Sequence, residues 1–162
     1  MAANPSIIPF LWFDGNAEEA VDLYTSVFRD SEVLTVTRYG DAGPGPPGSV
    51  LTIEFVLRGQ RFVALNGGPQ YRFTEAVSFQ ILCDTQEEMD GYWARLSDGG
   101  SEAPCGWLKD RFGLSWQVVP RALPKLLQDP DPERARRVTE ALLTMEKIDL
   151  EALESAHRGD VG

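Results

Sequence analysis

The chain repeats itself, and the repeat restricts the folds open to it. A shift of 69 positions places Phe10 on Phe79, Glu18-Glu19 on Glu87-Glu88, Leu23-Tyr24 on Tyr92-Trp93 and Val27 on Leu96. Element order and aromatic positions both survive the shift, the mark of a duplicated supersecondary unit. In the first copy, residues 7–13 are an apolar run of strand length, and Asp14-Gly15-Asn16 turns the chain. Asn16 is placed to cap a helix reaching about Phe28. Within it Ala20, Leu23, Tyr24 and Val27 recur at helical spacing, with Glu18 and Glu19 favourable in the first turn. Residues 32–39 read as a second strand. The loop GDAGPGPPGS (40–49) excludes regular structure, and residues 50–57 and 61–66 pair as a hairpin through Arg58-Gly59-Gln60.

After a linker at 67–73 the pattern restarts. Residues 77–83 form a strand, Asp84-Thr85 caps, and residues 87–96 form a helix. The stretch CGWLKDRFGLSWQVVP (105–120) reads as two strands around the turn Asp110-Arg111-Phe112-Gly113, the second stopped by Pro120. In that strand Leu114, Trp116 and Val118 share one face and Ser115, Gln117 and Val119 the other. An apolar back and a polar front suit the wall of a small-molecule pocket. A helical tail follows, with a short helix at 121–128 and a longer one from Pro132 to about Lys147 carrying the stripe Val138, Leu142 and Met145. Asp149 caps a last helix containing Leu150 and Leu153. The stripe reads as core packing or as a dimer contact.

A net charge of −10 argues against nucleic acid or anionic membrane as partner, because phosphates are repelled. No apolar run reaches the roughly 20 residues that span a bilayer, and MAANPS lacks the regions of a signal peptide. Cys83 and Cys105 have no metal-type spacing and suit reduced thiols, so the expected location is cytoplasmic. The single histidine, His157, excludes Ser-His-Asp, Cys-His and multi-histidine metal chemistry.

The blocks FLWFDGNAEEAVDLY, EFVLRGQRFVALNGGP, QEEMDGYW, CGWLKDRFGLSWQVVP and LQDPDPERARRVTEALL appear in order. Together they resemble the PhnB-like branch of the vicinal-oxygen-chelate superfamily, which includes glyoxalase I, extradiol dioxygenases and bleomycin-resistance proteins. That family is often labelled 3-demethylubiquinone-9 3-methyltransferase. The resemblance implies an α+β fold of two βαβββ modules, the glyoxalase/bleomycin-resistance/dioxygenase fold, curled around a cavity and usually homodimeric. The whole chain, 1–162, would then be one such domain, with module one at about 7–66, module two at about 77–119 and a tail at 121–157.

In metal-using relatives four ligands come from the first and last strands of each module. The resemblance transfers those positions to Pro9, Ala64, Ser78 and Gln117, and a residue of slippage either way still brings in no histidine or carboxylate. One Gln amide is inadequate for a divalent cation, so no metal and no cofactor are expected. Strand parity from the same positions puts Leu11, Phe13, Phe62, Asn66, Ser78, Gln80, Ser115 and Gln117 on the concave side, with Cys105 and Trp107 completing the candidate ligand site. Ile8, Phe10, Trp12, Phe79, Ile81, Trp116 and Val118 then back onto helices. Glu54 is either the pocket's one carboxylate or a surface group paired with Arg58 or Arg61.

These residues fit a metal-free protein binding a small organic molecule. The alternative is an enzyme of the same superfamily, with Glu54 as general base or Cys105 as nucleophile, although Cys105 beside Gly106 also suits a small structural residue. A literal methyltransferase lacks its usual Gly-rich strand-to-helix turn, since the stretch at 40–48 is proline-rich and precedes a strand. A purely structural dimer is the remaining reading.

Overall fold

Two sheets repeat one strand order. A computed structural model describes residues 5–160; the start of MAANPS, read above for targeting signals, lies outside them. In the first sheet β1 (Phe10–Phe13) pairs in parallel with β4 (Gln60–Asn66), which is followed outward by β3 (Val50–Leu57) and β2 (Ser31–Arg38), both antiparallel. In the second, β5 (Ser78–Cys83) lies parallel to β8 (Ser115–Pro120), followed by β7 (Trp107–Lys109) and the two-residue β6 (Ser101–Glu102). Each sheet carries one crossover helix, α1 (Ala17–Val27) or α2 (Gln86–Ser97). The fold is therefore α+β with two βαβββ modules and a helical tail of α3 (Leu123–Leu127), α4 (Pro132–Leu142) and α5 (Leu150–Arg158). The chain divides into two compact units, one ending at Phe73 and the other beginning at Thr74.

In the first unit, Tyr24 of α1 stacks on Phe55, which stacks on Phe62 at 5.5 Å. Leu11, Phe13, Ala20, Val21 and Ile53 are buried with them. Asn16 makes no side-chain cap to α1. The cap arrives from β4 instead, where Asn66 Oδ1 accepts from the Ala17 backbone N–H at 2.9 Å. The Asn66 side-chain nitrogen donates to Glu18 and to the Val50 carbonyl, and the Asn66 backbone carbonyl accepts from the Tyr39 hydroxyl. Asn66 thus ties helix to sheet. Asn66→Ala should cost about 1–2 kcal/mol, read as a lower urea midpoint with unchanged slope.

In the second unit the helix is capped by its own neighbours in sequence. Thr85 Oγ1 accepts from Glu88 N, and the Glu88 carboxylate accepts from Asp84 N, a reciprocal arrangement close to a capping box. Met89, Trp93 and Leu96 face the sheet, buried. The helices keep the 69-residue spacing, Ala20 matching Met89, Tyr24 matching Trp93 and Val27 matching Leu96.

The tail is fastened to this unit. Cys105 N and Gly106 N donate to the Met145 and Glu146 carbonyls, both at 2.8 Å. Gln86 grips the start of α5, donating to the Ile148 carbonyl and accepting from Leu150 N. Arg137 of α4 donates to the last carbonyls of α5, Ala156 and His157. Helix α4 ends at Leu142 rather than near Lys147, because the next residues turn to reach Cys105 and Gly106. Of the expected stripe, Val138 is buried and Leu142 and Met145 are half-buried, while Ile148 and Leu153 are buried as well.

Two carboxylates near the tail titrate low. A hydrogen bond from Lys147, then one from Gln86, holds Asp90 below its ordinary value, and the Asp131 backbone N–H followed by His157 does so for Asp129. A carboxyl depressed on folding stabilises above its unfolded pKa, near 4, and that contribution is lost as pH falls through the folded value. The melting temperature should therefore fall below about pH 4, and Asp90→Asn should flatten that dependence in a pH series of thermal melts.

Candidate functional site: the helix-free sheet faces

Each sheet has one face against its helix and one without a helix, and pairing decides which residues lie where. In the second sheet Ser78 lies opposite Ser115, Gln80 opposite Gln117, and Trp107 opposite Gln117 from the other side. These residues share the helix-free face with Lys109, while Phe79, Ile81, Trp116 and Val118 turn to α2. The Gln117 amide donates to Ser78 Oγ at 2.8 Å, and Gln80 reaches the Gln117 carbonyl oxygen at 3.4 Å. Ser115 is fully buried, and its hydroxyl has no hydrogen-bond partner among the described residues. Lys109 is ion-paired with Glu75, and that bond, with one from the glutamate's own backbone, holds the Glu75 carboxyl below its ordinary range.

In the first sheet the expected parity is inverted. Leu11 lies opposite Ala64 and Phe13 opposite Asn66, on the same face as Phe55 and Phe62, which is the face covered by α1. Leu11, Phe13 and Phe62 are core, at 5%, 3% and 4% exposure, and Asn66 is the helix cap; none lines a helix-free face. That face carries Phe10, Trp12, Val63 and Leu65 instead, and Phe10 is 60% exposed where burial was expected. The first strands are spaced by 68 residues, Phe10 matching Ser78, while the helices keep 69. From strand start to helix start the second module is one residue longer, Ser78 to Gln86 against Phe10 to Ala17, and a one-residue slip exchanges the two faces of a strand. The clue available in the sequence was Gly67-Gly68 after β4. Trp12 Nε1 donates to the Gly68 carbonyl, and a Cβ on Gly67 would lie 2.3 Å from the Trp12 ring. Tyr71 meets the same ring edge-on at 4.9 Å.

Glu54 is on this face, beside Val63, and accepts from Arg61 at 3.1 Å. The paired surface group is what the structure contains, and a carboxylate already engaged by a guanidinium is poorly placed as a general base. Cys105 lies outside the strands of the second sheet, in the turn before β7. Its backbone is left-handed (φ 63°) and its thiol points to the Leu142 carbonyl at 3.7 Å, so it belongs to the tail's seat. Cys83 and Cys105 are both free thiols.

The metal positions can be tested by their donors. With the register corrected, the four strand positions are Phe10, Leu65, Ser78 and Gln117. They offer one hydroxyl and one amide, which do not fit a divalent cation. Among the described residues no group of three His, Cys, Asp or Glu side chains converges; His157 instead bonds Asp129 in the tail at 2.7 Å. No helix among those residues is long and apolar enough to cross a membrane.

Comparison with known proteins agrees with the fold. The 3-demethylubiquinone-9 3-methyltransferase family matches residues 5–119. The PhnB protein from Bacillus cereus is 36% identical, with 72% of this chain covering 99% of that one at a TM-score of 0.66. Protein PA1353 from Pseudomonas aeruginosa, at 22% identity, shares the fold over 72% of this chain and 98% of its own, TM-score 0.60. The fosfomycin resistance protein FosX from Listeria monocytogenes, solved with Mn(II) and sulfate, is 13% identical over 77% of this chain and 96% of that one, TM-score 0.53. No curated protein matches. The chain belongs to the 3-demethylubiquinone-9 3-methyltransferase family, in the PhnB-like branch of the vicinal-oxygen-chelate superfamily.

Proposed function

We propose that this protein binds a small organic molecule without a metal ion, using the helix-free face of the second sheet for its hydrogen bonds. The row Ser78, Gln117 and Gln80 beside Trp107 carries the reading. Neutral hydrogen-bonding groups next to an aromatic ring are the usual furniture of a ligand site. A ligand arriving near Trp107 should change tryptophan emission. Titration with a panel of aromatic metabolites should give saturable quenching, and Gln117→Leu should weaken it about tenfold, one good hydrogen bond. A panel with no saturating member, or a Gln117→Leu variant that binds equally well, would overturn the assignment.

The family's methyltransferase label gains no support from this chain's residues. Its Gly- and Pro-rich loop joins β2 to β3 and opens no helix, whereas phosphate- and nucleotide-type turns lead into helix N-termini. S-adenosylmethionine should therefore produce no saturable quenching.

The donor set leads to a further expectation. EDTA should leave the melting temperature unchanged, and elemental analysis should find well under one equivalent of divalent metal per chain; a bound metal would instead make stability chelator-sensitive. We also infer a homodimer. Val33 and Val36 on the outer strand β2 are 44% and 45% exposed, a surface of the kind two-fold association covers. Light scattering should return twice the 18.0 kDa chain mass.

A further inference from the structure

The hydrogen-bonding row on the second sheet narrows the ligand's chemistry. Gln117 spends a donor on Ser78 and its acceptor on Gln80, the latter across 3.4 Å, longer than a well-made bond. Gln80 is exposed and keeps its carbonyl oxygen and second N–H unspent among the described residues. A primary amide presents a donor and an acceptor side by side. Its best match is a group with the same pair reversed, as when glutamine reads an adenine edge with two bonds.

We propose that the ligand is an uncharged aromatic carboxamide or lactam, held by two hydrogen bonds to the Gln80 amide with its ring against Trp107. The inference rests on the ligand-site reading above. Charge sets the preference. An ionised carboxylate presents two acceptors, one of which would face the Gln80 carbonyl oxygen. The cation on this face, Lys109, is held by Glu75 and offers little compensation. A cationic ligand meets no unpaired carboxylate here for the same reason. Sites built to hydrogen-bond a particular group reject analogues lacking it far more strongly than apolar pockets reject a change of shape.

Nicotinamide and nicotinate form a matched pair of probes, alike in ring and size and different in charge and donor content. Ligand-observed NMR titration at pH 7 should show nicotinamide binding at least about tenfold more tightly, and Gln80→Leu should remove that preference. Gln80 is exposed on its strand, so the variant should melt as the parent does; should it not fold, Gln80→Thr, which suits a strand, replaces it. Equal or tighter binding of nicotinate overturns the carboxamide assignment and leaves the ligand site standing. Preference retained in the Gln80 variant overturns the role of Gln80. Failure of both probes to bind the parent while another member of the aromatic panel saturates overturns the carboxamide assignment alone; failure of the whole panel overturns the site.

Discussion

Asp110→Ala should be among the most destabilising single substitutions in this chain, lowering stability by about 3–5 kcal/mol. Asp110 is 2% exposed and opens the turn between β7 and β8. One carboxylate oxygen accepts from the backbone N–H groups of Phe112 and Leu114, at 2.9 and 3.1 Å, and the other from Trp116 Nε1 at 2.9 Å. Its own N–H and C=O close the turn on Leu114 and Gly113. A buried charge is costly unless its lone pairs are satisfied, and here three donors satisfy them. Alanine removes the acceptor that these three donors share, and losing the acceptor of a buried donor costs about 1–3 kcal/mol. Water entering at the turn should recover part, hence less than the full sum. Asp110→Asn keeps the shape but puts an N–H against donors, so about half the loss should remain. Chemical denaturation of all three proteins, followed by tryptophan emission, decides it; an Asp110→Ala midpoint matching the parent would show the buried network contributes nothing.

Gly106→Ala is the second. Gly106 has φ of 81°, the left-handed region that disfavours a side chain by about 1 kcal/mol. A Cβ there would lie 2.8 Å from the Val118 carbonyl oxygen and 2.8 Å from Ile148 Cδ1. The first contact is backbone in the middle of β8 and cannot move aside; the second is the residue leading into α5. Strain and overpacking together should cost about 2–4 kcal/mol. The damage should also be directional. Because Cys105 and Gly106 hold the tail through Met145 and Glu146, hydrogen exchange and proteolysis should rise first across 142–158, before the sheets of either unit open. Uniform loosening would contradict the seat assigned to this dipeptide.

The sequence determined by itself whatever depends on short-range spacing. The helix stripe Ala20, Tyr24 and Val27, the counterparts Trp93 and Leu96, the caps at Thr85 and Asp149, and the turn at Asp110–Gly113 were legible because each involves residues within a few positions. The duplication was legible for the same reason, and with it the two βαβββ modules. The polar face of β8 followed from alternation alone, and its partners Ser78, Gln80 and Trp107 lie where that alternation requires. Tertiary structure decided what rests on register between distant strands. A one-residue difference between the modules in the span from strand start to helix start goes with Leu11, Phe13 and Phe62 being core and Phe10 and Trp12 lying on the helix-free face. Alternation fixes which residues share a side, but only packing against α1 fixes which side is buried. Long-range hydrogen bonds decided the rest. Asn66 caps a helix 49 residues away, and Cys105 binds a tail 40 residues on. Side chains such as these serve partners far along the chain, and local pattern carries no trace of partners brought together only by folding.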